Sequence, residues 1–168
     1  GFNTLDTSAL ALPTLILIIF LMFIGASPGS TGGGIKTSTF LLIFASVIAT
    51  IRGRESIHIG KRTIPPTLFY KALTVFAFAS TYNLIGIFLL SLAEPEMDIF
   101  QLSFEHVSAF ATVGLSTGIT SDLSDLGKMI IISSMFLGRV GTLTLAIVLA
   151  GSKTMASYKY PVAHLDIG

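Results

Sequence analysis

Residues 25–38 read GASPGSTGGGIKTS, with five glycines, a proline and a Gly-Ile-Lys-Thr-Ser close. The lettering approaches the phosphate-binding pattern G-x-x-x-x-G-K-[ST], in which backbone N–H groups wrap a phosphate. Here Ile35 stands between Gly34 and Lys36, so the glycine–lysine step is missing. The flanking residues decide what the glycines are for. Ala9 to Ala26 is a run without a charge, and Ser38 to Ile51 is a shorter apolar run. A bilayer-spanning helix needs about 20 apolar residues. The second run is too short to cross alone. The pair therefore reads as one crossing, interrupted by glycines at membrane depth, where irregular backbone survives only inside protein or along a watery cavity.

Composition points the same way. The chain is 52% hydrophobic and 11% charged, with a mean hydropathy of +0.83, whereas a soluble domain is about 25% charged. Without cysteine there is no disulfide, thiolate metal site or cysteine nucleophile. The three histidines, His58, His106 and His164, lack ligand spacing and are expected at the surface or the membrane interface. A net charge of +1 suggests no nucleic-acid partner. With the lysine displaced and no cluster of catalytic acids, the chain is not expected to be an enzyme.

Two further runs are long enough to span: Ala72 to Ala93, without a charge, and Met129 to Ala150, with Arg139 alone. Lys and Arg accumulate on the cytoplasmic side of membrane proteins. The segment from Ile51 to Ala72 carries Arg52, Arg54, Lys61, Arg62 and Lys71 against Glu55 and is expected inside. Glu94, Glu96 and Asp98, and then Asp122 and Asp125, mark two outside stretches, acidic rims able to concentrate cations. Between them lies IFQLSFEHVSAFATVGLS, residues 99–116. Both its ends must be external, so it reads as a short helix dipping into the membrane and returning as a loop. A surface amphipathic helix is the other reading.

The chain also repeats itself. Gly1-Phe2-Asn3-Thr4 aligns with Gly114-Leu115-Ser116-Thr117, and Met22-Phe23-Ile24-Gly25 aligns with Met135-Phe136-Leu137-Gly138 at the same offset. Shared offsets in equivalent contexts mark an internal repeat. Each unit is a helix, a re-entrant helix with a loop, and an inner helix. The first copy lacks its opening elements here, so they are expected to precede Gly1.

Helix, re-entrant loop, helix is the plan of a cation pore, where backbone carbonyls of Thr-Val-Gly-type loops replace the ion's water shell. Thr112-Val113-Gly114 has that spelling. Glycine suits it because aiming successive carbonyls at an axis needs backbone angles a side chain obstructs. Arg139 falls at the middle of its span from Met129 to Ala150. Near the midplane an arginine costs about 2.5–3.5 kcal/mol on insertion scales, so it should face a cavity or a partner. It is either an electrostatic barrier below the filter or a structural ion pair or carbonyl ligand. In the repeat it falls opposite Ala26, where the glycine-rich break begins.

Taken together, Gly1-Phe2-Asn3-Thr4, residues 27–37, residues 112–118 and Met135 to Gly141 resemble the Trk/Ktr/HKT superfamily of potassium transporters along nearly the whole chain. The resemblance implies an all-α membrane protein of four helix–pore-loop–helix repeats, arranged pseudo-fourfold around a central pore. Residues 1–51 would end the third repeat, 52–71 form a cytoplasmic basic loop, 72–150 make the fourth repeat, and 151–168 form a cytoplasmic tail. Backbone carbonyls of Gly1, Phe2, Thr112, Val113, Gly114 and Leu115 would hold K+ as transported ion. Gly29, Ser30, Thr31, Gly32, Gly33 and Gly34 would form an intramembrane gate with Arg139 projecting toward it. It further implies a homodimer in the cell membrane, seated on a cytoplasmic ring of RCK-type nucleotide-binding subunits. No cofactor is expected in this chain, since the nucleotide would sit on that partner, and the tail from Tyr158 to Gly168 would lie at the dimer and ring interface. Na+ as coupling ion, known in part of the family, is not legible in these residues. The competing reading is a secondary transporter whose broken helices hold a solute at the midplane.

Overall fold

The computed structural model describes residue 4 and residues 6–54, 56–60 and 62–141. Gly1, Phe2 and the 151–168 tail lie outside the described residues, as does the end of the last span from residue 142 onward. After a short 3-10 turn at Thr7–Ala9 come helix α1 (Leu12–Phe23) and helix α2 (Thr37–Ile51). Next are strands β1 (Ile57–Ile59) and β2 (Arg62–Ile64), then α3 (Pro66–Ala93), α4 (Ile99–Phe110), a second 3-10 turn (Ile119–Ser121) and α5 (Asp125–Val140). Helices α1 and α5 begin at Leu12 and Asp125, each shortly after a 3-10 turn. The separation of these two starts equals the offset of the sequence repeat.

The glycine-rich break interrupts a helix without reversing the chain. Residues Ile24 and Ile35 form a parallel bridge. Ile35 N donates to Phe23 O at 3.1 Å and Thr37 N to Ala26 O at 3.3 Å. Because the bridge is parallel, the backbone leaves α1 and enters α2 in the same sense, and residues 25–34 loop out between.

Local chemistry starts each helix. Pro13 sits in the first turn of α1 and Pro66 opens α3, where a missing N–H costs nothing. That proline starts α3 well before the apolar run anticipated from Ala72, so part of the basic 52–71 segment is helical. Ahead of it lies the β1–β2 pair, with Ile57 opposite Ile64 and Ile59 opposite Arg62. Asp98 caps α4 by accepting from Phe100 N and Gln101 N, and Ser124 caps α5 by accepting from Gly127 N.

Helix α4 is the centre of the packing. Leu102 and every residue from Phe104 to Phe110 are buried, and α4 supplies residues to all three apolar clusters. A surface amphipathic helix would leave one face exposed; α4 has none over that stretch. Neighbouring helices approach it through glycines, as membrane helices do. A Cβ at Gly86 of α3 would lie 2.1 Å from His106 Cε1, and one at Gly138 of α5 would lie 1.8 Å from Phe110 O. His106 is thus a core residue, not the surface histidine anticipated: its Nδ1 is 3.2 Å from Ser134 Oγ, which also meets Tyr82 Oη at 3.1 Å. Glu94 likewise leaves the acidic rim. It is buried and accepts from Ser124 N at 2.7 Å.

Among the described residues one helix, Pro66–Ala93, is long and apolar enough to cross a membrane, and α1 and α2 are shorter apolar helices. Large apolar side chains stand exposed along α1 (Ile16, Leu17, Phe20, Leu21), α3 (Leu84, Phe88, Leu92) and α5 (Ile132, Met135, Phe136). Apolar surface of that extent suits lipid or protein contact rather than water.

Candidate functional site

Two loops meet where α4 ends. The first follows α4. Thr112 has φ +56° and Gly114 φ +83°, while Val113 between them does not enter the positive region. Left-handed backbone at every second residue turns carbonyls that alternate in a strand toward one side. Glycine adopts it freely, but for β-branched Thr112 it is strained. The strain is held by hydrogen bonds to α4: Val113 N to Ser108 O at 3.0 Å, Thr112 N to Ala109 O at 3.2 Å, and Ser108 Oγ to Leu115 O at 2.6 Å. Of the four carbonyls expected to face an ion, that of Leu115 is therefore engaged by the helix behind it.

Farther along, Glu105 gathers the rest of the loop. Its Oε1 accepts from Ser116 Oγ, from Thr117 N at 2.9 Å and from Thr117 Oγ1 at 3.4 Å, and its Oε2 accepts from Thr120 Oγ1 at 3.1 Å. Glu105 and Ser108 are one helical turn apart, on one face. The sequence reading gives Glu105 no role; its spacing from Ser108 is the signal that could have found it.

The second loop is the glycine-rich break. Ser27 to Thr31 are exposed, and Gly29, at φ +86°, has open space where a Cβ would be. The other end is wedged tight. A Cβ at Gly33 would lie 2.7 Å from Phe110 O and 3.0 Å from Gly138 O. The repeat-equivalent glycines Gly25 and Gly138 both border Gly33, since a Cβ on Gly25 would lie 2.1 Å from Gly33 O. Only glycine fits this crossing of three backbones.

From there Gly33 N donates to Thr112 Oγ1 at 2.7 Å, joining the two loops directly. Cationic side chains hold the exposed part. Arg139 Nη1 donates to Thr31 O at 2.5 Å, and Lys36 Nζ donates to Gly32 O at 2.6 Å and Ser30 O at 3.0 Å. Arg139 thus has a carbonyl partner, one of the roles its place in the run from Met129 to Ala150 left open. Lys36, at the N-cap of α2, enters the sequence reading only as the displaced lysine of the phosphate-loop pattern. A cavity of about 540 Å³ lies against Ser30–Gly34, Lys36 and Arg139. A second, of about 400 Å³, lies against Thr112, Gly114, Ser116 and again Arg139.

The structure thus brings Thr112–Leu115, Gly29–Gly34 and Arg139 into one contiguous region.

The chain is similar to known transport proteins. The family model TrkH, described as a cation transport protein, matches residues 1–159. The chain is 40% identical over 168 residues to the Ktr system potassium uptake protein D of Bacillus subtilis, covering all of this chain and 37% of that protein. It is 41% identical over 168 residues to the Ktr system potassium uptake protein B of the same organism, with the same coverage. To the Ktr system potassium uptake protein B of Vibrio alginolyticus it is 40% identical over 161 residues, 96% of this chain and 35% of that protein. The chain therefore spans little more than a third of the length of these relatives. With the family model matching nearly its whole length, the chain belongs to the TrkH family of cation transport proteins.

Proposed function

We propose that this chain supplies two of the four repeats of a potassium uptake protein, with Thr112 to Leu115 as one filter segment and Gly29 to Gly34 as the gate beneath it. The observation that carries the reading is the alternation of backbone hand through Thr112-Val113-Gly114, with φ +56° and +83° at its ends. It suits a row of carbonyls offered to a large, weakly hydrated cation. The bond from Gly33 N to Thr112 Oγ1 supports a gate seated directly against the filter. Arg139 and Lys36 then occupy the loop's carbonyls and set positive charge across the ion's path.

The remaining parts of the reading follow the family. The complete protein is a multi-pass membrane protein, with the broken α1–α2 span and α3 as two crossings and the basic hairpin segment inside. It works as a homodimer on a cytoplasmic RCK ring, and nucleotide binds that partner.

Replacing Gly114 with Ser puts a side chain where φ is +83°, and is expected to lower K+ over Na+ discrimination in whole-protein uptake assays. Unchanged discrimination would remove Thr112–Leu115 from the filter. Deleting Ser30 to Gly33 is expected to raise K+ flux. Complete loss of transport by a normally abundant protein would make the loop an obligatory binding segment, as in a broken-helix secondary transporter.

A further inference from the structure

Glu105 is a buried carboxylate, 6% exposed, on the helix behind the proposed filter. Among the described residues, every hydrogen-bond partner of its side chain is a donor from one loop: the hydroxyls of Ser116, Thr117 and Thr120 and the amide of Thr117. An ionised carboxylate offers about four acceptor sites and no donor, so four donors match its capacity. Ser116 Oγ in turn accepts from Gly118 N at 2.9 Å, which extends the hold to the left-handed Gly118. Inner residues of the loop are held by Ser108 one turn away, through Val113 N and Leu115 O. The two residues divide the loop between them: Ser108, through its backbone carbonyl and its hydroxyl, fixes the inner half, and the Glu105 side chain fixes the outer half.

The receiving hydroxyls recur in the repeat. Thr117 and Thr120 correspond, at the repeat offset, to Thr4 and Thr7, and Thr7 is buried. A Thr-x-x-Thr pair after each filter segment is thus part of the repeated unit, as a shared scheme for tethering the loop from behind would require.

We propose that Glu105 is a positioning residue for ion discrimination: its carboxylate fixes the outer half of the Thr112–Gly118 loop and thereby sets how strongly the pore prefers K+ to smaller cations. The inference rests on the filter reading above. Its physical basis is that selectivity from a ring of carbonyls needs the carbonyls held near one geometry, and residues that hold a functional group must do so to within about 0.5 Å. Charge-assisted bonds from a buried anion are the short, strong kind that can.

The test is K+ and Na+ uptake by the full-length protein in proteoliposomes, normalised to transporter content, for Glu105→Gln, Glu105→Asp and Gly114→Ser. Glutamine keeps the size of Glu105 but places an NH2 donor among four donors; aspartate is shorter but keeps the acceptors. Glu105→Gln is expected to lower the K+/Na+ ratio about tenfold, the equivalent of about 1.4 kcal/mol, with Glu105→Asp nearer to wild type. A role in packing alone predicts the reverse order, glutamine being the better fit, and that order would overturn the proposal. If Glu105→Gln keeps the wild-type ratio while Gly114→Ser loses it, Glu105 is no positioning residue and the filter reading stands. If Gly114→Ser keeps the ratio, both fall. Should Glu105→Gln not accumulate, Ser116→Ala and Thr120→Val each withdraw one donor and are expected to lower the ratio about threefold; no change in either overturns the proposal.

Discussion

The two loops that meet at Gly33 and Thr112 are tethered with opposite polarity. The 112–120 loop gives most of its bonded N–H and O–H groups to a buried carboxylate, Glu105, and to the Ser108 carbonyl, both on the central helix, and takes back one donor, the Ser108 hydroxyl, at Leu115 O. The 25–36 loop gives its carbonyls to two cations, Arg139 and Lys36, on long side chains. Once the donors are consumed, a loop presents oxygen to what passes; once the carbonyls are consumed, it presents positive charge. The tethers differ in stiffness too. Glu105 is buried, whereas Arg139 and the residues from Ser27 to Thr31 are exposed. A short buried acceptor fixes geometry, while exposed cation–carbonyl bonds break at modest cost. That difference is the one the proposed filter and gate require.

The most severe way to break this contrast is to force the loops apart. A Cβ at Gly138 would lie 1.8 Å from Phe110 O, and Gly138 O itself flanks Gly33. Gly138→Val should cost about 3 kcal/mol, the upper range of overpacking, and remove the footing of both loops at once. Thermal unfolding in detergent should show a much lower midpoint and poor accumulation. A midpoint equal to wild type would mean that the three-backbone crossing is looser than its geometry.

Next in size is release of the moving loop alone. Hydrogen bonds to charged groups contribute about 1.5–3 kcal/mol when shielded, and Arg139 is exposed, so about 1 kcal/mol or less is realistic. Arg139→Ala and Lys36→Met should each raise K+ flux per transporter a few-fold, about threefold for each, and the double variant more. Selectivity should change less than flux, since the hydrogen bonds of both side chains go to the glycine-rich loop and not to residues 112–120. Flux that drops in step with abundance would reassign both side chains to structural support.

How much of this was legible in the sequence follows from how far apart the partners lie. The helix break at residues 25–36 could be read because the signal is local: glycines between two apolar runs, one too short to span. The loop after α4 was legible for the same reason. Glu105 was not, because its partners, Ser116 to Thr120, come after the helix that carries it has ended and the chain has turned back. Glu94 and His106 failed similarly. A sequence does not disclose that Gly127 and Gly86 leave the space that lets Glu94 and His106 pack inside. The start of α3 was missed because Lys71 ends the apolar run, although a helix opened by Pro66 tolerates an exposed lysine. Lys36 was set aside with the phosphate-loop reading, yet its position at the start of α2 brings it back over the loop carbonyls.

The finest test of the contrast is at the single bond joining the two loops, where Gly33 N donates to Thr112 Oγ1. Two substitutions separate the bond from the strain around it. Thr112→Ser keeps the oxygen and removes the β-branch held at φ +56°, a conformation costing on the order of 1 kcal/mol or more for such a residue. It also removes the methyl that lies 3.0 Å from the Cβ position of Gly33, so the two effects oppose and the unfolding midpoint should barely move. Thr112→Val keeps shape and strain but leaves Gly33 N, in a buried residue, without its acceptor, at about 1–3 kcal/mol. If the bond only stabilises the fold, Val lowers the midpoint and leaves flux per folded transporter unchanged. If it latches the moving loop to the fixed one, Val raises flux about twofold or more while Ser does not, the cost falling on the closed state alone. Equal flux in Ser and Val would leave the cation–carbonyl contacts as the whole of the latch.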